Sequence, residues 1–141
     1  MGTPQVEFIR LQKPEKARYL CQLAEELLQQ RQRVLMLVED DEQALALDRF
    51  LWTWNKGSFL PHAWDNGAVE CHDEPICICS QPRNGNGARV LLAAAPAPLA
   101  FSRTFSRVID FAETYDPQRL QAARERFAQW RELGCVPRMR E

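Results

Sequence analysis

The chain reads Val34-Leu35-Met36-Leu37-Val38-Glu39-Asp40-Asp41-Glu42-Gln43-Ala44 in its first third, and this segment is the strongest indication of the fold class. A continuous apolar run is typical of a strand that is buried on both faces of a sheet. Asp40 or Asp41 is then predicted to cap a helix, where a carboxylate also suits the positive end of the helix dipole. Apolar side chains follow at helical spacing, namely Ala44, Leu45, Leu47, Leu51 and Trp52.

The same alternation of strand and helix continues on both sides of this stretch. Residues 6–11 alternate like a strand, and a helix is predicted to open at Pro14 and to end near Gln32. Further strands are predicted over residues 76–81, 89–94 and 107–111. Alternating strands and helices predict an α/β domain with helices on both faces of a largely parallel sheet.

Turn and cap signals complete the predicted architecture. Asn84-Gly85-Asn86-Gly87 lies between two predicted strands and indicates a hairpin. Asp116-Pro117 opens a last helix, and Gly134 closes it. We therefore predict a single domain over residues 1–141, a three-layer α/β/α sandwich whose mostly parallel sheet has about five strands and one hairpin.

Composition excludes several classes of protein. The 141 residues are 45% hydrophobic and 26% charged, as in ordinary soluble domains, and no apolar run is long enough to span a membrane. With no secretory signal and an odd number of cysteines, five, we expect reduced thiols in the cytosol. Cys71, His72, Cys77 and Cys79 lack the spacing of a zinc site, so no metal is expected.

Charge is distributed unevenly along the chain. Residues 39–74 carry nine acids against Arg49 and Lys56, a balance of −7, whereas eight arginines face six acids from Leu99 onward, a balance of +2. The chain is not basic enough to indicate a protein that binds duplex DNA. Its arginine-rich C-terminal part suits an anionic partner that needs a guanidinium fork.

The acids at 39–41 and the glycines at 85–87 raise the alternative of a receiver-like or nucleotide-binding α/β signalling module. A receiver domain also needs a lysine at the end of a later strand, and no lysine follows Lys56. A phosphate-binding glycine loop leads into a helix, but this one leads into a strand. Neither histidine lies in a catalytic constellation. We therefore expect no enzyme and no cofactor.

Two clusters of residues favour protein binding instead. Trp52, Trp54, Phe59 and Trp64 fall within thirteen residues around a loop, and a loop cannot easily bury all four. The last helix carries an apolar face that is surrounded by arginines. An aromatic beside arginines can hold a hydrophobic residue that carries a carboxylate. The apolar face consists of Leu120, Ala123, Phe127 and Trp130, and the arginines are Arg119, Arg124, Arg126 and Arg131.

These segments resemble the chi subunit family of bacterial DNA polymerase III, which belongs to the clamp loader. The resemblance spans nearly the whole chain and is weakest across residues 63–81. It rests on the following segments in this order: Arg33-Val34-Leu35, Glu39-Asp40, Gln43-Ala44, Leu47-Asp48, Leu51-Trp52, Ser58-Phe59-Leu60-Pro61-His62, Val108-Ile109-Asp110-Phe111 and Ala123-Arg124-Glu125-Arg126-Phe127.

The resemblance implies a Rossmann-like fold without a nucleotide and a non-enzymatic, cytoplasmic bridge between two proteins. It implies that Trp52 and Phe59 bind the psi subunit, and that a repair helicase also uses this surface. It implies that Arg124 and Phe127 bind the acidic C-terminal tail of single-stranded-DNA-binding protein. Relatives have Tyr at Phe127 and Lys at Ala128, so the basic rim is expected either to be thinner or to be supplied by Arg119 or Arg131. Neither direct sequence-specific binding of nucleic acid nor membrane association is expected.

Overall fold

The computed structural model describes residues 3–54, 60–68 and 70–140. Its helices are α1 (Lys16–Gln29), α2 (Asp41–Thr53), α3 (Leu99–Ser102) and α4 (Pro117–Glu132). Its strands are β1 (Gln5–Leu11), β2 (Val34–Leu37), β3 (His62–Trp64), β4 (Ile76–Cys79), β5 (Val90–Ala93), β6 (Arg107–Glu113) and β7 (Arg138–Arg140).

The strands form one seven-stranded sheet in the order β3-β4-β2-β5-β6-β1-β7, and every pairing in it is parallel. The predicted α/β sandwich with a Rossmann-like fold is thus confirmed. The sheet exceeds the expected five strands because β3 and β7 were not predicted. Each has three residues and lies at an edge, where a short strand carries too little pattern to be recognised.

The predicted hairpin between 76–81 and 89–94 is wrong. Both segments do form strands, but β4 and β5 pair with opposite sides of β2. All four residues of each strand are buried, which is typical of the interior of a parallel sheet. The Asn-Gly repeats belong to a longer connection in which Asn84 Nδ2 donates to Ala88 O at 2.9 Å and Asn84 Oδ1 accepts from Ala88 N at 2.9 Å.

The predicted caps of α2 and α4 are confirmed. Asp40, rather than Asp41, caps α2, because its Oδ1 accepts a hydrogen bond from Gln43 N at 2.8 Å. Asp116 accepts from the amides of Gln118 and Arg119 at the start of α4, which has Pro117 in its first turn. Gly134 follows the helix with a φ of 86°, a conformation that a glycine adopts without strain.

The core has two parts, one on each face of the sheet. The helices α1 and α2 cover one face, where Leu20, Leu27 and Leu47 pack with Met36 and Ile109. The opposite face is covered by α4 and by the connections around β4. Because alternate residues of a strand point to opposite faces, β1 sends Ile9 to the first part and Val6 and Phe8 to the second.

None of the helices in the described ranges is long and apolar enough to cross a membrane.

Candidate protein-binding surfaces

A groove of about 450 Å³ lies beside α4, on the face of the sheet that this helix covers only in part. Its floor comes from three neighbouring strands. The register pairs Phe8 of β1 with Met139 of β7, and Arg10 of β1 with Ala112 of β6. Phe8 is fully buried, whereas Met139 is 43% exposed. The sheet therefore supplies an apolar floor that is open towards β7.

The wall of the groove is one face of α4. Leu120, Ala123, Arg124 and Phe127 line it, and this spacing of three and four residues places them on one side of the helix. The rings of Phe127 and Phe8 lie 5.3 Å apart between centroids, so wall and floor meet at an aromatic contact. Arg131 Cζ lies 5.1 Å from the centroid of Phe127, within the range of a cation–π contact.

The charges that line this groove are of one sign. Its charged lining residues are Arg10 and Arg124, and both are exposed. Within the described ranges, the side chain of Arg124 forms no hydrogen bond or ion pair. An apolar trough with two arginines is chemically suited to an apolar group that carries a carboxylate.

Sequence reasoning missed Arg10 and Met139 as groove residues. The alternation of residues 6–11 puts Phe8 and Arg10 on one face of a strand, so their common orientation could be predicted. Their position in the groove could not, because nothing in the sequence shows that β1 lies beside β6 or that α4 covers it. Met139 could not be placed without β7, which has only three residues.

Three of the four predicted arginines, Arg119, Arg126 and Arg131, are not among the residues that line the groove. Arg119 Nη1 contacts Glu113 Oε2 at 2.7 Å, and its Nε lies 3.7 Å from Asp116 Oδ2. Arg126 Nε contacts Asp110 Oδ2 at 2.7 Å. Each of these guanidinium groups therefore forms an ion pair with a buried carboxylate of the same chain. The structure brings Arg124, Phe127 and Arg131 together and sets Arg119 apart from them.

A second, polar cavity of about 240 Å³ lies between the carboxyl ends of β5 and β6 and the neighbouring helices, the place where open α/β sheets commonly bind ligands. Each of the three cations that line it, Lys16, Arg119 and Arg126, is paired with a buried carboxylate of the cavity. Lys16 Nζ donates to Glu113 Oε1 at 2.5 Å and to Ala94 O at 2.7 Å. Burial favours a raised pKa for Glu113, but hydrogen bonds from Lys16, Tyr115 and Arg119 prevail and lower it to about 2. Cations that are neutralised in this way are poorly suited to binding phosphate.

Trp52 lies in the last turn of α2 and is 61% exposed, more than any other Trp, Tyr or Phe in the described ranges. Its ring packs against His62 of β3, with 4.8 Å between centroids. Leu45 lies seven residues earlier on the same side of the helix and is 37% exposed. One side of α2 thus presents the apolar side chains of Leu45 and Trp52 to solvent.

Two other aromatics of this region, Trp54 and Trp64, belong to the packing of the core. Trp54 and Trp64 are partly buried and pack against the core under α1 and α2. Trp54 Nε1 also donates to Glu25 Oε2 at 3.2 Å. Phe59 lies outside the described residues, so its place beside Trp52 stays a prediction.

The five cysteines are all reduced and buried. Burial raises the pKa of the Cys71 thiol, and it raises that of Cys21 to about 12. Thiols of this kind are poor nucleophiles and poor metal ligands. Over residues 3–54, 60–68 and 70–140, no cluster of three or more His, Cys, Asp or Glu side chains could hold a metal ion.

Comparison of the chain with solved structures agrees with the observed fold. The crystal structure of T4 UvsW matches 96% of this chain with a TM-score of 0.71 at 10% identity. The match covers only 41% of that larger chain. At this level of identity the similarity shows a shared fold and nothing more.

Comparison of sequences goes further. Residues 3–138 match the family model described as DNA polymerase III chi subunit, HolC. DNA polymerase III subunit chi of Escherichia coli (strain K12) is 32% identical over 116 residues, which are 82% of this chain and 78% of the relative. The subunit of the same name from Haemophilus influenzae is 32% identical over 81% of this chain and 78% of its own length. This chain therefore belongs to the family of DNA polymerase III chi subunits, accessory subunits of DNA replication that are not catalytic.

Proposed function

We propose that this chain is a cytoplasmic adaptor that joins the psi subunit of the clamp loader to the C-terminal tail of single-stranded-DNA-binding protein. The observation that carries the proposal is the groove beside α4, which combines an apolar floor with Arg10 and Arg124. The exposed patch around Trp52 supplies a second surface on a different helix.

The groove suits a peptide that ends in an aromatic residue. We infer that the terminal side chain inserts between Phe127 and Met139 and covers Phe8. Its terminal carboxylate then meets Arg124, which has no internal partner among the described residues. Acidic residues further back along the tail reach Arg10, so that this arginine takes the place that Arg119 was predicted to fill.

The psi subunit is proposed to bind at Trp52 and Phe59. The large exposed area of Trp52 supports a role as an anchor, because aromatic side chains are enriched among residues that dominate binding energy. The same surface is the proposed site for a repair helicase, which would then compete with psi. Neither surface is proposed to bind a specific nucleic acid sequence or a membrane.

Calorimetry with a peptide ending in Asp-Ile-Pro-Phe tests the groove. Losing a charge-assisted pair commonly costs about 2–5 kcal/mol, so Arg124→Ala should weaken binding at least roughly tenfold. Arg18→Ala is the matched control, because Arg18 is an exposed arginine of α1 on the opposite face of the sheet. Unchanged affinity of Arg124→Ala would refute the assignment.

An amidated peptide identifies the group that Arg124 binds. Amidation removes the terminal charge and should weaken binding to the unsubstituted protein. If Arg124 pairs with that carboxylate, amidation should make little further difference once Arg124 is replaced by alanine. Fully additive losses would instead place the carboxylate on another residue, with Arg10 as the next candidate.

Co-purification with the psi subunit tests the Trp52 surface. Trp52→Ala should abolish co-purification while affinity for the tail peptide stays within about twofold, because the two sites are independent. A joint loss of both activities together with a sharp fall in melting temperature would show that the substitution unfolds the protein.

The receiver-like alternative predicts stoichiometric phosphorylation by acetyl phosphate at Asp40, Asp41 or Asp65, and we expect none by mass spectrometry.

A further inference from the structure

The geometry points to Arg140 of β7 as a positioning residue for the groove beside α4, because it ties β7 to the buried carboxylate of Glu7 from the opposite face of the sheet. This inference rests on the proposed binding of a tail peptide in the groove. It also makes a claim about the position of β7 that can be measured without any peptide.

The two faces of β7 carry different side chains. Met139 lies beside Phe8 in the register, and its side chain lines the groove. Arg138 and Arg140 flank Met139 in the strand, so both point to the other face of the sheet, where Glu7 lies. Glu7 and Arg140 are not among the described residues that line the groove. A substitution of Arg140 therefore leaves the lining of the groove chemically unchanged.

Glu7 binds an arginine from each strand that neighbours β1. Its Oε2 accepts a hydrogen bond from Arg140 Nη1 of β7 at 2.8 Å, and its Oε1 accepts one from Arg107 Nε of β6 at 2.8 Å. Burial favours a raised pKa for Glu7, but the hydrogen bonds from Arg140 and Arg107 and their charges prevail and lower it. One buried carboxylate thus connects β7 to the interior of the sheet.

The contact matters because β7 is a short strand at the edge of the sheet. It has three residues, all of them exposed, and β1 is its one strand neighbour in the described ranges. Segments of this kind open locally at a low cost in free energy. When β7 separates from β1, Met139 leaves the floor of the groove. The ion pair with Glu7 opposes this opening and so keeps the groove complete for an apolar side chain of the peptide.

NMR of protein labelled with 13C at the methionine methyl groups reports on β7 directly. The three methionines give three signals, and Met139→Leu identifies the one from Met139. Arg140→Ala removes the contact with Glu7, so the Met139 signal should move towards the position of a methionine in an unfolded chain. The melting temperature should change little, because Glu7 keeps Arg107 and no buried charge is left unpaired.

Arg138→Ala is the matched control for Arg140→Ala. Arg138 is exposed, lies on the same face of the same strand, and forms no ion pair within the described part of the chain. Both substitutions remove one positive charge, so both reduce the long-range attraction of an acidic peptide to a similar degree. Arg140→Lys is the conservative variant. It should keep the Met139 signal in place, because an ammonium group can also make a single contact with the carboxylate.

Calorimetry with the peptide ending in Asp-Ile-Pro-Phe connects the position of β7 to the groove. Arg140→Ala should weaken binding by roughly threefold to tenfold, because Met139 then covers less of the terminal ring. Arg138→Ala and Arg140→Lys should stay within about twofold of the unsubstituted protein. With a peptide whose last residue is alanine, Arg140→Ala should cause little further loss, since the side chain that Met139 covers is absent.

Three outcomes would count against these claims. An unmoved Met139 signal in Arg140→Ala would overturn the positioning role. Equal affinities of Arg140→Ala and Arg138→Ala for the peptide would also overturn it, because any loss would then come from charge alone. If the Met139 signal moves but Arg124→Ala binds the peptide normally, Arg140 does position β7 and the proposed tail site is wrong.

Discussion

Arg126 Nε lies 2.7 Å from Asp110 Oδ2, and this ion pair fastens α4 to the centre of β6. Its neighbour two residues earlier, Arg124, points into the groove. On the same helix, Arg126 therefore stabilises the fold and Arg124 lines the groove, although the two arginines have similar neighbours in the sequence. The distinction comes from Asp110, which is 5% exposed and faces α4 from the sheet.

Removing Arg126 should destabilise the fold without a direct effect on the groove. Arg126→Ala leaves a buried carboxylate unpaired, which commonly costs about 3–5 kcal/mol. Urea unfolding should show a large loss, with Arg18→Ala as a control that stays within about 0.5 kcal/mol. The double variant Arg126→Ala, Asp110→Ala should be more stable than Arg126→Ala alone, and an equal or lower stability would contradict the ion-pair account.

Acid should partly rescue Arg126→Ala. Burial already raises the pKa of Asp110 although Arg126 opposes that rise, so the folded protein protonates this carboxylate more readily than the unfolded chain does. Without Arg126 the pKa should rise further. The stability gap between Arg126→Ala and the unsubstituted protein should therefore narrow as the pH falls, whereas a constant gap would show that Asp110 is not the group left unpaired.

Glu113 should make stability depend on pH in the opposite sense. Its pKa is lowered to about 2 from an ordinary value of 4.5, so the carboxylate stabilises the fold above about pH 4.5 and loses this effect as the pH falls towards 2. Glu113→Gln should cost roughly 3 kcal/mol near neutral pH and much less in acid. Glu125→Gln, at an exposed position of α4, is the control and should show no such dependence.

Asn86 should be essential to the connection between β4 and β5. It is 1% exposed, and its Nδ2 donates to Val34 O at 3.2 Å and to Glu74 O at 2.9 Å. Asn86→Ala leaves two carbonyls without this donor, which should cost about 1–3 kcal/mol. Asn66→Ala, at an exposed turn, should cost far less. Equal losses would mean that Asn86 does not hold the connection in place.

Much of the fold could be predicted from the sequence because its signals are local. The apolar run at residues 34–38 and the cap at Asp40 lie within ten residues of each other, and both are observed. The pairing of β4 with β2 could not be predicted, because a parallel pair joins segments that are distant in the chain. The same limit made the Asn-Gly turns look like a hairpin.

In the candidate sites, too, the local spacing of residues could be predicted from the sequence and their distant neighbours could not. The helical spacing of Arg124 and Phe127 could be read directly, and both line the groove. The roles of Arg119 and Arg126 could not, because their partners Glu113 and Asp110 lie on a strand whose place depends on the whole sheet. Arg10 was missed for the same reason, since α4 and β1 are more than a hundred residues apart.

The two proposed partners should occupy this chain together, each at its own surface. Native mass spectrometry of the chain mixed with the psi subunit and the tail peptide tests it most directly. We expect a complex that contains one copy of each, from which Arg124→Ala loses only the peptide and Trp52→Ala loses only psi. Displacement of either ligand by the other, with no ternary complex at saturating concentrations, would contradict it.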